Sequence, residues 1–475
     1  RNPQVKRYTY RQTTHLIQTR LDYFLVSDHC QDIVLDTDVI TSVWSDHSGI
    51  VLKLRFLPQW PRGKSYWKFN SSTLRDDSFI TTMIDKLEEW KTLYRDSGDL
   101  RVQWELIKYE IRRFCIKYGK EQRKVKNVYT CNLLQQLNQL EKALGDQPDK
   151  LNQDKYESVK QKLKQIEIEE ARGTIIRSKA SFIEQGEKPT RYFFNLEKRN
   201  AMNKNIKSLI LPGGTKTTNP EEILEYQQSF YQNLYTSKKY NAVEHKQYFL
   251  NANITPLNTS DALSCEGEIT KLECEEAIKK FQLNKSPGND GITIEFYKQF
   301  WPQLGDLMYK CFNYSFEHGE MSVSQRQAII TLIEKYGKDK LYIKNWRPIS
   351  LLNVDYKIAS KVLSLRVKKV LPNIIHTDQT GYVDGRQIFE SIRAIQDIME
   401  ITKSQNMPGM MLLIDFEKAF DSLEWDFLFE ALRRFNFGNT FIKWVKLLYT
   451  NISSCIMNNG TTSQYFPLTK QDWKM

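Results

Sequence analysis

Four apolar residues, Met411, Leu412, Leu413 and Ile414, run straight into Asp415, and a second carboxylate, Asp421, follows six positions on. The run is too short for a core helix and suits a buried strand. Such a strand would deliver Asp415 at its end, with little water to share the charge. A buried, unpaired carboxylate is costly, so it asks for a cation or a metal ion. A hard, oxygen-preferring ion such as Mg2+ fits, because it takes one or two carboxylates together with substrate phosphates. An aspartate capping the junction of a strand and a turn is the other reading of these residues. The surrounding blocks decide between them.

Upstream of this stretch stand Lys285-Ser286-Pro287-Gly288-Asn289-Asp290-Gly291, then Leu332-Ile333-Glu334-Lys335-Tyr336-Gly337-Lys338-Asp339. Asn345-Trp346-Arg347-Pro348-Ile349-Ser350-Leu351-Leu352-Asn353 and Asp378-Gln379-Thr380-Gly381-Tyr382-Val383-Asp384-Gly385-Arg386 follow. In this order and spacing the blocks resemble the fingers of LINE-type (non-LTR) retrotransposon reverse transcriptases. Residues 411–427 resemble that family's first catalytic block. The resemblance covers roughly residues 170 to 470.

The resemblance implies roles. Asp415 would be the catalytic metal ligand of a two-metal Mg2+ site. Phe420 would stand against the sugar's 2′ position and exclude ribonucleotides, unless it is ordinary core. Lys335 and Arg347 are candidates for the triphosphate of an incoming dNTP, whose charge asks for fixed cations. Lys335 has the weaker case, since Glu334 stands where relatives often carry proline. Arg386 would contact template phosphate or cap a turn. Asp421 would be structural, capping the helix that follows. In the family an adjacent aspartate pair on a later hairpin completes the site, and no Asp-Asp dipeptide follows Asp415 in these 475 residues. The two-metal site is therefore expected to be incomplete.

Near the beginning, Arg20-Leu21-Asp22-Tyr23-Phe24-Leu25-Val26-Ser27 and Trp44-Ser45-Asp46-His47-Ser48-Gly49-Ile50 make a second constellation. It resembles the last two strands of the apurinic/apyrimidinic-type endonuclease that precedes the polymerase in these elements. His47 would give acid–base or electrostatic support at a scissile phosphate, with Asp22 fixing its tautomer. Asp46 matches a metal- or water-organising position. About fifty residues are too few to close a two-sheet core. The resemblance thus implies a piece lacking the front of the endonuclease and the later palm, thumb and following regions.

The expected fold class is α+β. A β-rich endonuclease remnant (1–57) would lead into a basic, mostly helical linker (58–180). A pre-polymerase extension (181–265) and the fingers with a partial palm (266–475) would follow. Leu133, Leu137, Leu140 and Leu144 recur at helical steps, as do Val159, Leu163 and Ile166, with Pro148 breaking the two helices into an antiparallel pair. The closely spaced Arg112, Arg113, Lys117, Lys120, Arg123, Lys124 and Lys126 are either a solvated face or an RNA contact. Lys188, Arg191, Lys198 and Arg199, around three aromatics, are either a nucleic-acid contact or part of an anchor docking the linker onto the fingers.

A formal net charge of +12 favours polyanionic partners. The seven cysteines form no Cys-x-x-Cys pair and so no zinc pattern. No apolar run approaches the length of a membrane span. The intact family performs target-primed reverse transcription, which implies an RNA template, target DNA and dNTPs. It also implies the element's own RNA-binding protein as a partner, and a cytoplasmic ribonucleoprotein and the nucleus as locations. The chain alone is expected to be inactive. The alternatives are a non-catalytic RNA-binding remnant or a pseudogene product.

Overall fold

The computed structural model describes residues 8–11, 18–42, 44–55, 63–146, 149–178, 205–237, 242–252, 254–416 and 418–470. Its strands are β1 (Tyr10–Arg11), β2 (Gln18–Thr19), β3 (Val34–Ile40), β4 (Gly49–Leu54), β5 (Leu209–Ile210) and β6 (Lys216–Thr217). Then come β7 (Gln327–Glu334), β8 (Trp346–Leu352), β9 (Ser453–Asn458), β10 (Thr461–Thr462) and β11 (Phe466–Pro467). The first helices are α1 (Asp77–Leu93), α2 (Leu100–Asp146), α3 (Lys150–Ser178), α4 (Pro220–Tyr235), α5 (Ala242–Asn251) and α6 (Thr259–Ser264). They are followed by α7 (Lys271–Lys280), α8 (Ile294–His318), α9 (Val354–Ile374), α10 (Ile388–Ser404), α11 (Trp425–Arg434) and α12 (Asn439–Tyr449). Helices and strands thus mix in an α+β chain. It divides into two compact units, residues 1–63 with 116–205 and residues 64–115 with 206–475. The stretch 58–180, read from sequence as one linker, is shared between them.

In the first unit β1 pairs with β2 and β3 with β4, both antiparallel. Helices α2 and α3 stop and start on either side of the Pro148 region, where proline's missing N–H and fixed φ end a helix. Leu133 and Leu137 pack against Tyr156, Val159 and Leu163, with Leu140, Leu144, Ile166 and Trp44 at the margin. The Trp44 indole donates to Glu167 Oε2 at 2.6 Å, with the Lys164 ammonium 4.6 Å from its ring centre.

The second unit is built on a five-stranded sheet, ordered β10-β9-β7-β8 with β11 also on β9. β7 is an almost continuous apolar run, as a strand covered on both faces requires. It lies antiparallel to β8 and parallel to β9. Buried aromatics of α8 (Phe296, Tyr297, Phe300) fill the adjoining core. The Trp67–Phe69 connector enters it too, with Phe69 edge-on to Phe296 at 5.3 Å and its N–H on Gly291 O at 2.9 Å.

Beneath this lies a buried charge network. Lys108 of α2 is 3% exposed, and its Nζ lies 2.8 Å from Asp355 Oδ2, 3.6 Å from Asp290 Oδ2 and 3.7 Å from Glu105 Oε1. The same Asp355 oxygen accepts from Trp104 Nε1 at 2.8 Å and Gln325 Nε2 at 3.2 Å. Burial alone would lower Lys108, but Asp355, Glu105 and Asp290 together raise it above the ordinary lysine value. Asp290 is the odd member. Burial pushes it up to about 7, against the pull of Lys108. Between its ordinary value of 3.8 and about 7 the folded chain holds a proton that the unfolded chain has lost. Its contribution to stability therefore falls as pH rises through that window. Asp290→Asn should flatten that part of the profile, read as urea midpoints across the window. A slope that survives the substitution would place its source elsewhere.

The sequence-based strand at Met411–Ile414 is corrected. Residues 407–416 form no helix or strand, and Leu412, Leu413 and Ile414 are exposed. An apolar run makes a strand only where a ladder takes up its N–H and C=O groups. The outer edge of the sheet, β8, carries Pro348, which has no N–H to give.

Candidate active-site elements

Asp415 follows the irregular stretch and is itself exposed. It does not sit at a buried strand end. Beyond it Lys418 takes a left-handed φ of 53° and lays its ammonium 5.3 Å from the Phe230 ring centre. Phe420 meets Tyr382 edge-to-face at 6.4 Å, which joins the catalytic-block loop to the segment ending in Arg386. Asp421 does not cap the next helix. α11 begins at Trp425 with Glu424 in the cap position. The Asp421 charge instead bears on Tyr231 and Tyr235, whose hydroxyls burial has already pushed up.

The β7–β8 hairpin sets Arg347 opposite Ile333, two residues before Lys335. Both cations therefore belong to the loop end of the hairpin, where residues 335–345 connect the two strands. Lys335 is held, its Nζ donating to Lys344 O at 3.0 Å. Arg347 is exposed. Arg386 donates to His376 O (2.5 Å), Gln379 O (2.8 Å), Ile375 O (2.9 Å) and Pro372 O (3.3 Å). Its guanidinium thus fastens the end of α9 to the following turn. Lys188, Arg191, Lys198, Arg199 and Glu417 lie outside the described residues.

In the first unit the structure brings Asp22 and His47 together, with His47 Nδ1 3.0 Å from Asp22 Oδ2. The His47 hydrogen bond, helped by Thr9, lowers the Asp22 carboxyl. Buried Thr9 organises the pair, its Oγ1 accepting from Leu21 N and Asp22 N at 2.9 and 3.0 Å. Asp46 is exposed and accepts from Ser45 Oγ at 3.2 Å.

Sequence reasoning missed the Lys108–Asp355 pair and the polar hub around Asn353. There Nδ2 reaches Asn289 Oδ1 at 2.8 Å and Ser324 O at 2.7 Å. One signal was available. Trp104, Lys108, Ile111 and Cys115 share a helical face, and a lysine on an apolar stripe marks a buried cation.

Among the described residues no group of three or more His, Cys, Asp or Glu is gathered to hold a metal. Among the described residues the donor set at Asp415 is one exposed carboxylate, which does not fit a two-metal centre.

Strand β8, Asp415, Phe420 and the closing strands fall in residues 333–470, which match the family of reverse transcriptases (RNA-dependent DNA polymerases). The chain carries a reverse-transcriptase domain. It is similar to the transposon TX1 uncharacterized 149 kDa protein of Xenopus laevis, 31% identical over 96% of this chain and 35% of that protein. It also resembles the retrovirus-related Pol polyprotein from type-1 retrotransposable element R1 of Bradysia coprophila. That likeness is 24% identity over 32% of this chain and 15% of the relative. A probable RNA-directed DNA polymerase from transposon BS of Drosophila melanogaster is 25% identical over 47% of this chain and 24% of its own length. Together with the family match, these likenesses support a reverse transcriptase of a non-LTR retrotransposon. It spans about a third of the TX1 protein's length and less of the others.

Proposed function

We propose that this chain supplies the fingers and front of the palm of a polymerase that copies its element's RNA into DNA at a nicked target. The observation that carries the reading is the family match over the residues that hold Arg347, Asp415 and Phe420. On this reading exposed Arg347 receives the triphosphate of an incoming dNTP, with Lys335 beside it stiffening the hairpin end. Phe420, braced by Tyr382, presents its ring to the sugar. Asp415 would offer one carboxylate toward Mg2+, and a two-metal site needs further carboxylates besides it.

Residues 8–55 are proposed to belong to the endonuclease that makes the nick. His47, oriented by Asp22, acts there at the scissile phosphate, and Asp46 helps organise water or metal. The partners are then RNA template, target DNA and the element's own RNA-binding protein, in a cytoplasmic ribonucleoprotein and in the nucleus.

A second reading, that residues 1–475 hold RNA without chemistry, is favoured by the exposure of Asp415 and by the lack, among the described residues, of a gathered group of metal ligands. Primer extension on an RNA template with Mg2+ separates the two. Residues 1–475 alone should incorporate no nucleotide. Joined to the sequence of the TX1 protein beyond the matched stretch, they should extend the primer and lose that activity to background in Asp415→Asn. A joined protein indifferent to Asp415→Asn would overturn the polymerase reading. Asp415-dependent incorporation by residues 1–475 alone would overturn the claim that further carboxylates are needed.

A further inference from the structure

The cations of α2 fall into two sets. Some are taken up by the fold. Arg113 pairs with Glu110 at 2.7 Å, and Lys126 reaches across to Glu170 of α3 at 3.1 Å. Lys126 lies on the side of α2 that also carries Leu133 and Leu137, the seam with α3. Steps of three and four residues put Lys117, Lys120 and Lys124 on the opposite side. The same line continues through Val128, Cys131, Gln135 and Asn138 to Lys142, and every one of these eight residues is exposed. It runs for about 37 Å along the helix.

Among the described residues, none of the four lysines has a carboxylate at ion-pair distance. Residues 117–142 contain two acids, Glu121 beside the line and Glu141. Glu141 is engaged elsewhere, accepting from Thr41 Oγ1 at 2.8 Å. The outward side of α3 differs, because Asp154 and Glu157 interrupt its lysines. A helix face that keeps four ammonium groups unneutralised, with two amide side chains between them, is complementary to a polyanion.

We propose that the line from Lys117 to Lys142 is a docking track for the sugar–phosphate backbone of single-stranded RNA, the nucleic acid that the RNA-dependent family match points to. The lysines neutralise phosphates, and Gln135 and Asn138 hydrogen-bond to phosphate or sugar oxygens. The line has no aromatic side chain, so it grips the backbone without reading bases. The track lies outside the polymerase unit, and this inference deepens the reading above by naming where nucleic acid is held.

The test uses residues 1–475 with a labelled single-stranded RNA and a labelled duplex DNA, titrated over a range of salt. The variant is Lys117→Gln, Lys120→Gln, Lys124→Gln and Lys142→Gln combined, since glutamine keeps the helix propensity of lysine. Its slope of log affinity against log salt should fall by about 3 on the single strand. A loss confined to the duplex DNA overturns the assignment to RNA. A control loses the same charge through Lys150→Gln, Lys155→Gln, Lys162→Gln and Lys280→Gln, and its slope should change by less than about 1. Equal losses in variant and control, or no loss in the variant with helicity intact by circular dichroism, overturn the proposal. The measurement involves no nucleotide incorporation, so failure of the polymerase reading leaves it standing and the reverse.

Discussion

Lys108→Ala should cost the second unit about 3–5 kcal/mol, the usual penalty for stripping one partner from a buried ion pair. The cost has two sources, and they can be separated. Truncation removes the side-chain stem, and it leaves Asp355, which is 0% exposed, without the ammonium 2.8 Å away. Burial raises the Asp355 carboxyl, and the charge and hydrogen bond of Lys108 are the chief forces that bring it below its ordinary value. Lys108→Met restores most of the volume without the charge. If the charge matters most, the methionine variant should be nearly as unstable as the alanine one. Adding Asp355→Asn to Lys108→Met should then recover a large part of the loss, because a neutral amide can stay buried with Trp104 and Gln325 around it. Hydrogen exchange of the α9 amides reads the effect where Asp355 sits. A loss below about 1 kcal/mol in Lys108→Ala would mean that water reaches the cluster.

Gly291→Ala should cost about 3 kcal/mol or more by combining backbone strain with a main-chain collision. Gly291 has a φ of 77°, and a Cβ built there would lie 2.1 Å from Trp67 O and 2.9 Å from Trp67 C. Neither atom can swing aside as a side-chain tip could. The connector must back away, and with it goes the bond from Phe69 N to Gly291 O at 2.9 Å. Gly319 supplies the control, with a φ of 74° but nothing within 4 Å of its Cβ position. Gly319→Ala should therefore show strain alone, about 1–2 kcal/mol. Urea midpoints of the two variants, compared side by side, measure the collision by difference. Equal midpoints would show that the connector yields freely.

What could be read from sequence was what depends on near neighbours. The break between α2 and α3 at Pro148 and the seam of Leu133 and Leu137 follow from spacing along one helix, which a single sequence displays. Asp22 and His47 were paired through a resemblance that ties two distant blocks together. The Lys108–Asp355 bond spans 247 positions, and nothing local to Asp355 marks it off from any acid in a first helical turn. Met411–Ile414 failed for the opposite reason. Its pattern was strong, but a strand is defined by what it pairs with, and that information lies outside the segment. Arg386 shows a third limit, since a guanidinium that binds phosphate and one that closes a helix end look alike in one dimension.

The second unit, which holds the reverse-transcriptase match, is discontinuous along the chain, being assembled from residues 64–115 and 206–475. For genetic exchange between related elements this sets a rule. One crossover anywhere in 116–205 would join Lys108 from one parent to Asp355 from another, and Trp67 from one to Gly291 from the other. Two diverged parents are then expected to give viable recombinants mainly when both segments travel together, by a double exchange around the intervening stretch. Lineages that trade polymerases should carry the 64–115 piece along with them.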